Sequence, residues 1–171
     1  MKKTILSLLF FSITLLTFSQ SKIPSEIPKK SDIIKIYTKQ DKSKYFNYFL
    51  QSLQENGFEI EKKDDSFGSY STGFKVIQFY NSPVSYRIYG YIKQIQDTSV
   101  IVLQGQVKSS VFGLTGMLQS KLEGSRTNVS RYSFNEILGF IENLKFDRIE
   151  IYPTISNEDK NQKPKNYEDW K

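Results

Sequence analysis

The sequence predicts an α+β fold, a two-layer sandwich in which two helices cover one face of an antiparallel sheet. Two segments carry apolar residues at helical spacing, and several others alternate apolar with polar residues as strands do. These segments follow the order β-α-β-β-β-α: a short strand and a helix, a three-strand meander, then a second helix. This order places both helices on the same face of the meander.

The first helix is predicted from its start, its apolar stripe and its end. A short β-prone run over 33–37 precedes it, and Asp41 can cap it by accepting a bond from a free backbone N–H. Asn56-Gly57 ends it, because glycine tolerates the left-handed conformation found just past a helix. Helical spacing gives one buried stripe, made of Phe46, Phe49, Leu50 and Leu53.

Two strands are predicted after this helix. Phe58 and Ile60 alternate with glutamates, and residues 67–79 form one continuous strand with Tyr70, Thr72, Phe74 and Val76 on the same face. A turn over 63–66 separates the two. Its paired aspartates, Asp64 and Asp65, favour a solvated turn, since Asp side chains bond to nearby backbone N–H groups.

A hairpin over 86–108 is the clearest local feature. A four-residue turn at 96–99 pairs residues whose numbers sum to 195, so Gly90 faces Gly105 on the helix-covered side. Such a pair of glycines leaves a notch that a helix can approach closely. The opposite face then carries two rows: Arg87, Tyr89, Tyr91 and Lys93 on one strand, Val102, Gln104, Gln106 and Lys108 on the other.

The chain after the hairpin is predicted as a long loop and a second helix. The loop covers 109–131 and carries several apolar residues. Ser133 and Glu136 match a capping box, so the helix begins at Ser133. Its stripe is Phe134, Ile137, Leu138, Ile141 and Leu144. A last short strand over 146–152 is also expected.

The two ends of the chain have a different composition from the domain. Lys2-Lys3, the apolar run from Ile5 to Leu16 and the small residues near Ser19 predict a signal peptide over 1–19, with Gln20 as the first mature residue. The alternative is an uncleaved membrane anchor, for which the apolar run is short. Residues 20–31 are expected to form a flexible leader, 32–152 one domain, and 153–171 a disordered polar tail.

Three segments carry a family resemblance: 32–36, the helix-to-strand junction at 53–60, and 134–138. With the style of the N-terminus, they resemble small exported Bacteroidota proteins of unknown function. Their arrangement is similar to the TATA-binding-protein-like, or helix-grip, modules of the outer-membrane assembly lipoprotein BamC. The resemblance covers about 32–145 and implies the fold, but no chemistry. The chain departs from that lipoprotein because no cysteine follows the apolar run, so it is not expected to be lipid-anchored.

The composition excludes most catalytic chemistry. The 171 residues include no His and no Cys, which rules out a Ser-His-Asp triad, a cysteine nucleophile, a thiolate or imidazole metal site and a disulfide. No calcium loop or Gly-rich phosphate loop is present. We therefore expect no cofactor, no metal and no enzymatic activity. An enzyme that uses only carboxylates and tyrosine is the remaining alternative.

Two surfaces are candidates for binding a partner. Arg87, Tyr89, Tyr91 and Lys93 put aromatic and basic groups on one sheet face, although tyrosine is also a common strand residue. The loop around Phe112 and Leu114 is the second candidate, either as a binding segment or as a flap that completes the core. Export and a mature net charge of +4, from 22 basic and 18 acidic residues, argue against a nucleic-acid ligand.

The sequence therefore favours a non-enzymatic exported protein, periplasmic or secreted, that binds an envelope protein or assists assembly. The alternative is an immunity or inhibitor protein that neutralises a secreted toxin or hydrolase. Both functions fit a small domain without catalytic groups. The mature chain is expected to have no membrane span.

Overall fold

The computed structural model describes residues 23–111, 114–122 and 128–154, and at 109–111, 114 and 115 it describes the backbone alone. The segments predicted as signal peptide and most of the predicted tail lie outside these residues. The elements are β1 Ser31–Thr38, α1 Lys42–Glu55, β2 Ile60–Asp64, β3 Ser69–Thr72, β4 Lys75–Phe79, β5 Ser82–Ile95, β6 Thr98–Val111, β7 Leu114–Ser120, α2 Val129–Glu142 and β8 Arg148–Pro153.

All the described strands belong to one antiparallel sheet, and the α+β class is confirmed. The long strands β5 and β6 lie at its centre. β3 and β4 pair with successive parts of β5, and β1 and β7 pair with successive parts of β6. One end of the sheet therefore has six strands, in the order β2-β3-β5-β6-β1-β8, and the other end has four, β4-β5-β6-β7. The predicted order has three strands between the helices, although the segments predicted one by one number four; the structure has six, β2 to β7.

One of the extra strands arises because the predicted strand over 67–79 is broken. Ser71 pairs with Tyr89 but Lys75 pairs with Tyr86, so β3 and β4 together carry one residue more than β5 opposite them. This bulge at 73–74 reverses the side-chain alternation. Tyr70 and Thr72 share one face, as predicted, and are buried. Val76 points to the other face, and Phe74 and Val76 are 38% and 63% exposed.

The hairpin has the predicted faces but not the predicted register. Its turn is the two residues Gln96 and Asp97, with Gln96 at a φ of 52°, and paired residues sum to 193. Gly90 therefore pairs with Leu103, and Gly105 with Ile88. The shift comes from a turn that is two residues shorter than predicted. A shift by two residues keeps every side chain on its predicted face, because side chains alternate with a period of two.

Helix α1 forms as predicted. The Asp41 carboxylate accepts a 3.0 Å bond from the Lys44 N–H, and Gly57 follows the helix with a φ of 80°. The four residues of the predicted stripe are buried, together with Tyr45. Phe49 stacks edge-on against Tyr70 of the sheet and Phe140 of α2, so both helices pack on one face.

Helix α2 begins earlier than predicted. Its cap is Asn128, whose side-chain oxygen accepts bonds from Ser130 N at 2.8 Å and Arg131 N at 3.4 Å. The expected capping box at Ser133 is wrong. Ser133 is fully buried inside the helix, and its hydroxyl oxygen lies 2.7 Å from Ser120 Oγ and 3.0 Å from the Ser130 carbonyl oxygen, to which it donates.

The predicted loop over 109–131 is also wrong for most of its length. β6 continues to Val111, and β7 returns beside it, with Gly105 paired to Ser120 and Val111 to Leu114. Residues 129–131 belong to α2. The segment is short of charge and contains Gly113 and Gly116, which suggested a loop, yet long-range pairing with β6 makes it a strand.

Each of the two hairpin glycines is crowded, for a different reason. A Cβ on Gly105 would overlap Ile137 Cδ1 of α2, so the helix does approach closely at this glycine. A Cβ on Gly90 would instead overlap the Val102 carbonyl oxygen of the neighbouring strand. The predicted notch is therefore formed by Gly105, while Gly90 allows close strand contact.

Candidate functional site

The sheet face opposite the helices, here called the outer face, carries the candidate residues of the central hairpin. Arg87 pairs with Gln106, Tyr89 with Gln104 and Tyr91 with Val102. Lys93 pairs with Val100 and is exposed. The structure thus brings four of the six predicted partner-binding residues together on one face.

Strand β3 turns part of this face into a groove. Its outward residues, Ser69 and Ser71, are short, whereas the strands on either side carry long side chains. The resulting outer groove has a volume of about 920 Å³ and is open to solvent. One wall contains Glu61, Lys62 and Asp64 of β2, and the other contains Arg87, Tyr89 and Tyr91 of β5, with Val102 and Gln104 beyond them.

Arg87 is the most fully held side chain in the groove. Its Nε donates a 2.9 Å bond to Gln106 Oε1, and its Nη1 lies 3.8 Å from Glu61 Oε2. The guanidinium carbon lies 5.0 Å from the centre of the Phe74 ring. These contacts fix a planar group with five donors at the groove wall, ready to recognise carboxylate or carbonyl oxygens.

The two tyrosines of the groove wall differ in how their side chains are held: Tyr89 is hydrogen-bonded, and Tyr91 is exposed. The Tyr89 hydroxyl donates a 3.1 Å bond to Gln119 Oε1 of β7, so its ring lies across β6. Tyr91 is 42% exposed, a high fraction for a large aromatic residue in a central strand. Exposed aromatic rings and arginines are typical of residues that contribute strongly to protein–protein binding.

In the adjacent turn the Asp64 carboxylate bonds to the backbone, as predicted, whereas the Asp65 carboxylate pairs with a lysine. Asp64 Oδ1 accepts bonds from Ser66 N at 2.9 Å and Phe67 N at 3.1 Å. Asp65 lies 2.9 Å from Lys63 Nζ. These contacts therefore hold the β2–β3 turn together.

A second polar cluster on the outer face was missed by the sequence analysis. The Tyr37 hydroxyl donates to Glu150, and the Arg148 guanidinium lies 4.1 Å from the centre of the Tyr37 ring. Burial, with the Glu150 hydrogen bond and charge, raises the pKa of Tyr37 well above its usual value. Alternation in β8 and β1 was the available signal, but it becomes informative only once the two strands are known to pair.

The other predicted candidates lie elsewhere. Phe112 is outside the described residues. Leu114 begins β7, and only its backbone is described. Within 23–111, 114–122 and 128–154, no group of three or more acidic residues is placed to hold a metal ion. In the same residues no helix is long and apolar enough to cross a membrane.

Comparisons of the whole chain with protein-family models and with curated proteins find no match.

Proposed function

We propose that this chain is a non-enzymatic binding module, exported to the cell envelope, that recognises a protein partner in its outer groove. One observation carries the proposal: the sheet face left free by the helices is concave and presents Arg87, Tyr89 and Tyr91 along one wall. Arginine and tyrosine are the residues that most often dominate protein interfaces.

The shape and charge of the groove favour a segment of protein over a small molecule. Small-molecule sites are enclosed and mostly apolar, whereas this groove is open and lined by both charges and hydroxyl groups. Arg87 stands on one wall, and Lys62 stands on the other, where Glu61 and Asp64 also lie. An extended polar segment can bond to both walls while its apolar side chains contact the tyrosines.

Export remains part of the proposal and is supported by the N-terminal sequence. The basic Lys2-Lys3 pair and the apolar run to Leu16 predict cleavage near Ser19. N-terminal sequencing of the protein recovered from its native host should give Gln20 within one or two residues. An intact Met1 chain in the cytoplasm would contradict export without testing the groove.

The groove is tested by affinity capture from the native envelope fraction. The protein, a Tyr89→Ala/Tyr91→Ala variant and a Tyr80→Ala control are compared; Tyr80 is 69% exposed at the β4–β5 turn, away from the groove. We expect the double variant to remain folded by thermal melt and to lose most of the captured protein, while the control keeps it. Equal capture by all three would refute the outer groove as the binding surface.

The identity of the captured protein separates the two functions. An envelope or assembly protein supports the binding module. Capture of a secreted toxin or hydrolase, with loss of its activity on addition of the chain, supports the immunity or inhibitor function instead. Either result depends on the same Tyr89 and Tyr91 contacts.

A further inference from the structure

Strand β7 differs from the other edge strands of the sheet. Among the described residues, β2, β4, β7 and β8 each pair with a strand on one side alone. β2 carries four charged residues in five, β8 carries Arg148, Glu150 and Pro153, and Tyr132 of α2 covers β4 by donating to the Gln78 carbonyl. β7 is Leu-Thr-Gly-Met-Leu-Gln-Ser, without charge or proline. It therefore lacks the features that keep edge strands from pairing with another chain.

Along its free edge, β7 presents the backbone N–H and C=O groups of every second residue to a strand of another chain. The Gln119 carbonyl and the Lys121 N–H both bond to Ser130 Oγ, on the side of β7 away from β6. Backbone groups of successive residues in a strand point to alternate sides, so those of Thr115 and Met117 also point away from β6. Within the part of the chain that the structure describes, Ser130 covers the strand at its last residues.

Gly116 has no explanation within one copy of the chain. Its φ is not positive, and a Cβ added to it would meet nothing within 4 Å. Glycine inside a strand weakens it, and often marks a place where another backbone approaches closely. The neighbouring Met117 and Leu118 are 48% and 49% exposed. Because they point to opposite faces of the sheet, apolar surface is left uncovered on both faces.

We infer that β7 pairs with β7 of a second copy of this chain, antiparallel about a two-fold axis at Gly116. In this register Thr115 lies opposite Met117 and Leu114 lies opposite Leu118 of the other copy. Thr115 and Met117 are the residues whose backbone groups point outward, so they form the hydrogen-bonded pairs. Gly116 then faces Gly116 in the close, non-hydrogen-bonded position, where the Cα atoms are about 4.5 Å apart.

The sequence of β7 favours a second copy as its partner. The register is self-complementary, and an uncharged strand meets its own copy without like charges opposite each other. The paired segment is short, so the dimer should be in equilibrium with monomer and dissociate on dilution. This dimer is independent of the outer groove and of its partner.

A cysteine placed at the axis tests the register. The chain contains no cysteine, so Gly116→Cys introduces one thiol, and the expected Cα separation lies within the range for a disulfide. We expect the purified, full-length variant to form a covalent dimer on mild oxidation at least about tenfold faster than Val76→Cys, an exposed control on β4. Equal rates would overturn the proposed register.

A proline tests the hydrogen bonds without relying on the cysteine. The Met117 N–H points away from β6, so Met117→Pro leaves the pairing with β6 intact while removing one inter-copy bond per chain. The dissociation constant of the Met117→Pro dimer, measured by sedimentation, should be about tenfold or more above that of the wild type. Val76→Pro, on the edge strand β4, should leave the dissociation constant unchanged. A wild-type protein that stays monomeric up to about millimolar concentration overturns the inference.

Discussion

At the residue scale, the buried tyrosines differ in whether their hydroxyl groups have a hydrogen-bond partner. Tyr45 is fully buried and donates a 2.9 Å bond to the Lys145 carbonyl. Tyr70 is 4% exposed, and its hydroxyl has no hydrogen-bond partner among the described residues. A buried polar group without a partner is costly, whereas one that is bonded contributes to stability.

This contrast predicts opposite effects of the same substitution. Tyr70→Phe should leave the free energy of unfolding unchanged or raise it by about 1 kcal/mol, because it removes an unbonded hydroxyl. Tyr45→Phe should lower it by about 1 kcal/mol, because the Lys145 carbonyl loses its donor. Urea unfolding of both variants measures the difference. Equal losses would mean that the Tyr70 hydroxyl is bonded in solution.

The same buried rings predict a loss of stability at alkaline pH. Burial raises the pKa of Tyr45, Tyr70 and Tyr86 well above the usual value of 10.0. Below pH 10 these hydroxyls are protonated in both states, so their contribution is fully present. Above it, the unfolded chain releases protons that the folded chain retains, and the free energy of unfolding falls by about 1.4 kcal/mol per pH unit for each tyrosine.

Urea unfolding between pH 9 and pH 11.5 tests this dependence. Tyr86→Phe should make the decline shallower, and Tyr80→Phe, at an exposed turn position, should not change it. Phenolate absorbance should increase with unfolding for the buried rings. If it increases fully while the protein is still folded, the hydroxyls are not protected by burial.

At the scale of elements, α1 could be predicted because all its local signals agree. The Asp41 cap, the apolar stripe and Gly57 indicate the same start, face and end, and the structure confirms each. For α2 the local signal gave the wrong start. The Ser133 and Glu136 pair matched a capping box, but β7 brings Ser120 against Ser133, and the helix extends back to Asn128.

The phase of α1 is tested by one buried and one exposed residue. Leu53 is fully buried, so Leu53→Ala should lower the free energy of unfolding by about 2–5 kcal/mol. Lys44→Ala, on the exposed side, should change it by no more than about 0.5 kcal/mol. Comparable losses in urea unfolding would show that the stripe faces another way.

The start of α2 is tested at its cap. Asn128→Ala removes the acceptor for two backbone N–H groups and should cost about 1 kcal/mol, whereas Asn128→Asp should retain most of the stability. Chemical denaturation of the two variants gives the comparison. Similar losses for both, or no loss for either, would place the cap elsewhere.

The sheet shows why strands are harder to predict than helices here. The faces of β5 and β6 follow from alternation, but their register depends on turn length, and a two-residue turn at 96–97 replaced the expected four. The bulge at 73–74 and strand β7 depend on pairing with β5 and β6, which are distant in sequence. Local patterns carry little information about such contacts.

At the scale of the whole molecule, the sheet assembles a surface that no single segment contains. Alternation predicted that Arg87, Tyr89 and Tyr91 share a face, and the pairing confirms this. The groove itself needs the short residues Ser69 and Ser71 next to them, flanked by β2. That neighbourhood arises only from the tertiary fold, so the sequence predicted the residues of the surface but not its shape.

The two proposed surfaces lie in different parts of the sheet, although the Tyr89 hydroxyl of the groove wall bonds to Gln119 of β7. The outer groove lies at the six-stranded end, between β2 and β5, whereas β7 forms an edge of the four-stranded end. A dimer through β7 would therefore leave both grooves open and present two of them to a partner. Two linked sites can bind a partner with repeated segments more tightly than one.

Site-specific photo-crosslinking in the native envelope tests the central claim, that the outer groove binds another protein. A benzophenone amino acid replaces Tyr91 in one strain and Tyr80 in a matched control strain, both of which are exposed tyrosines. We expect irradiation to give one discrete adduct with another protein at position 91 and none at position 80. No adduct at 91, or the same adduct at both positions, would contradict it.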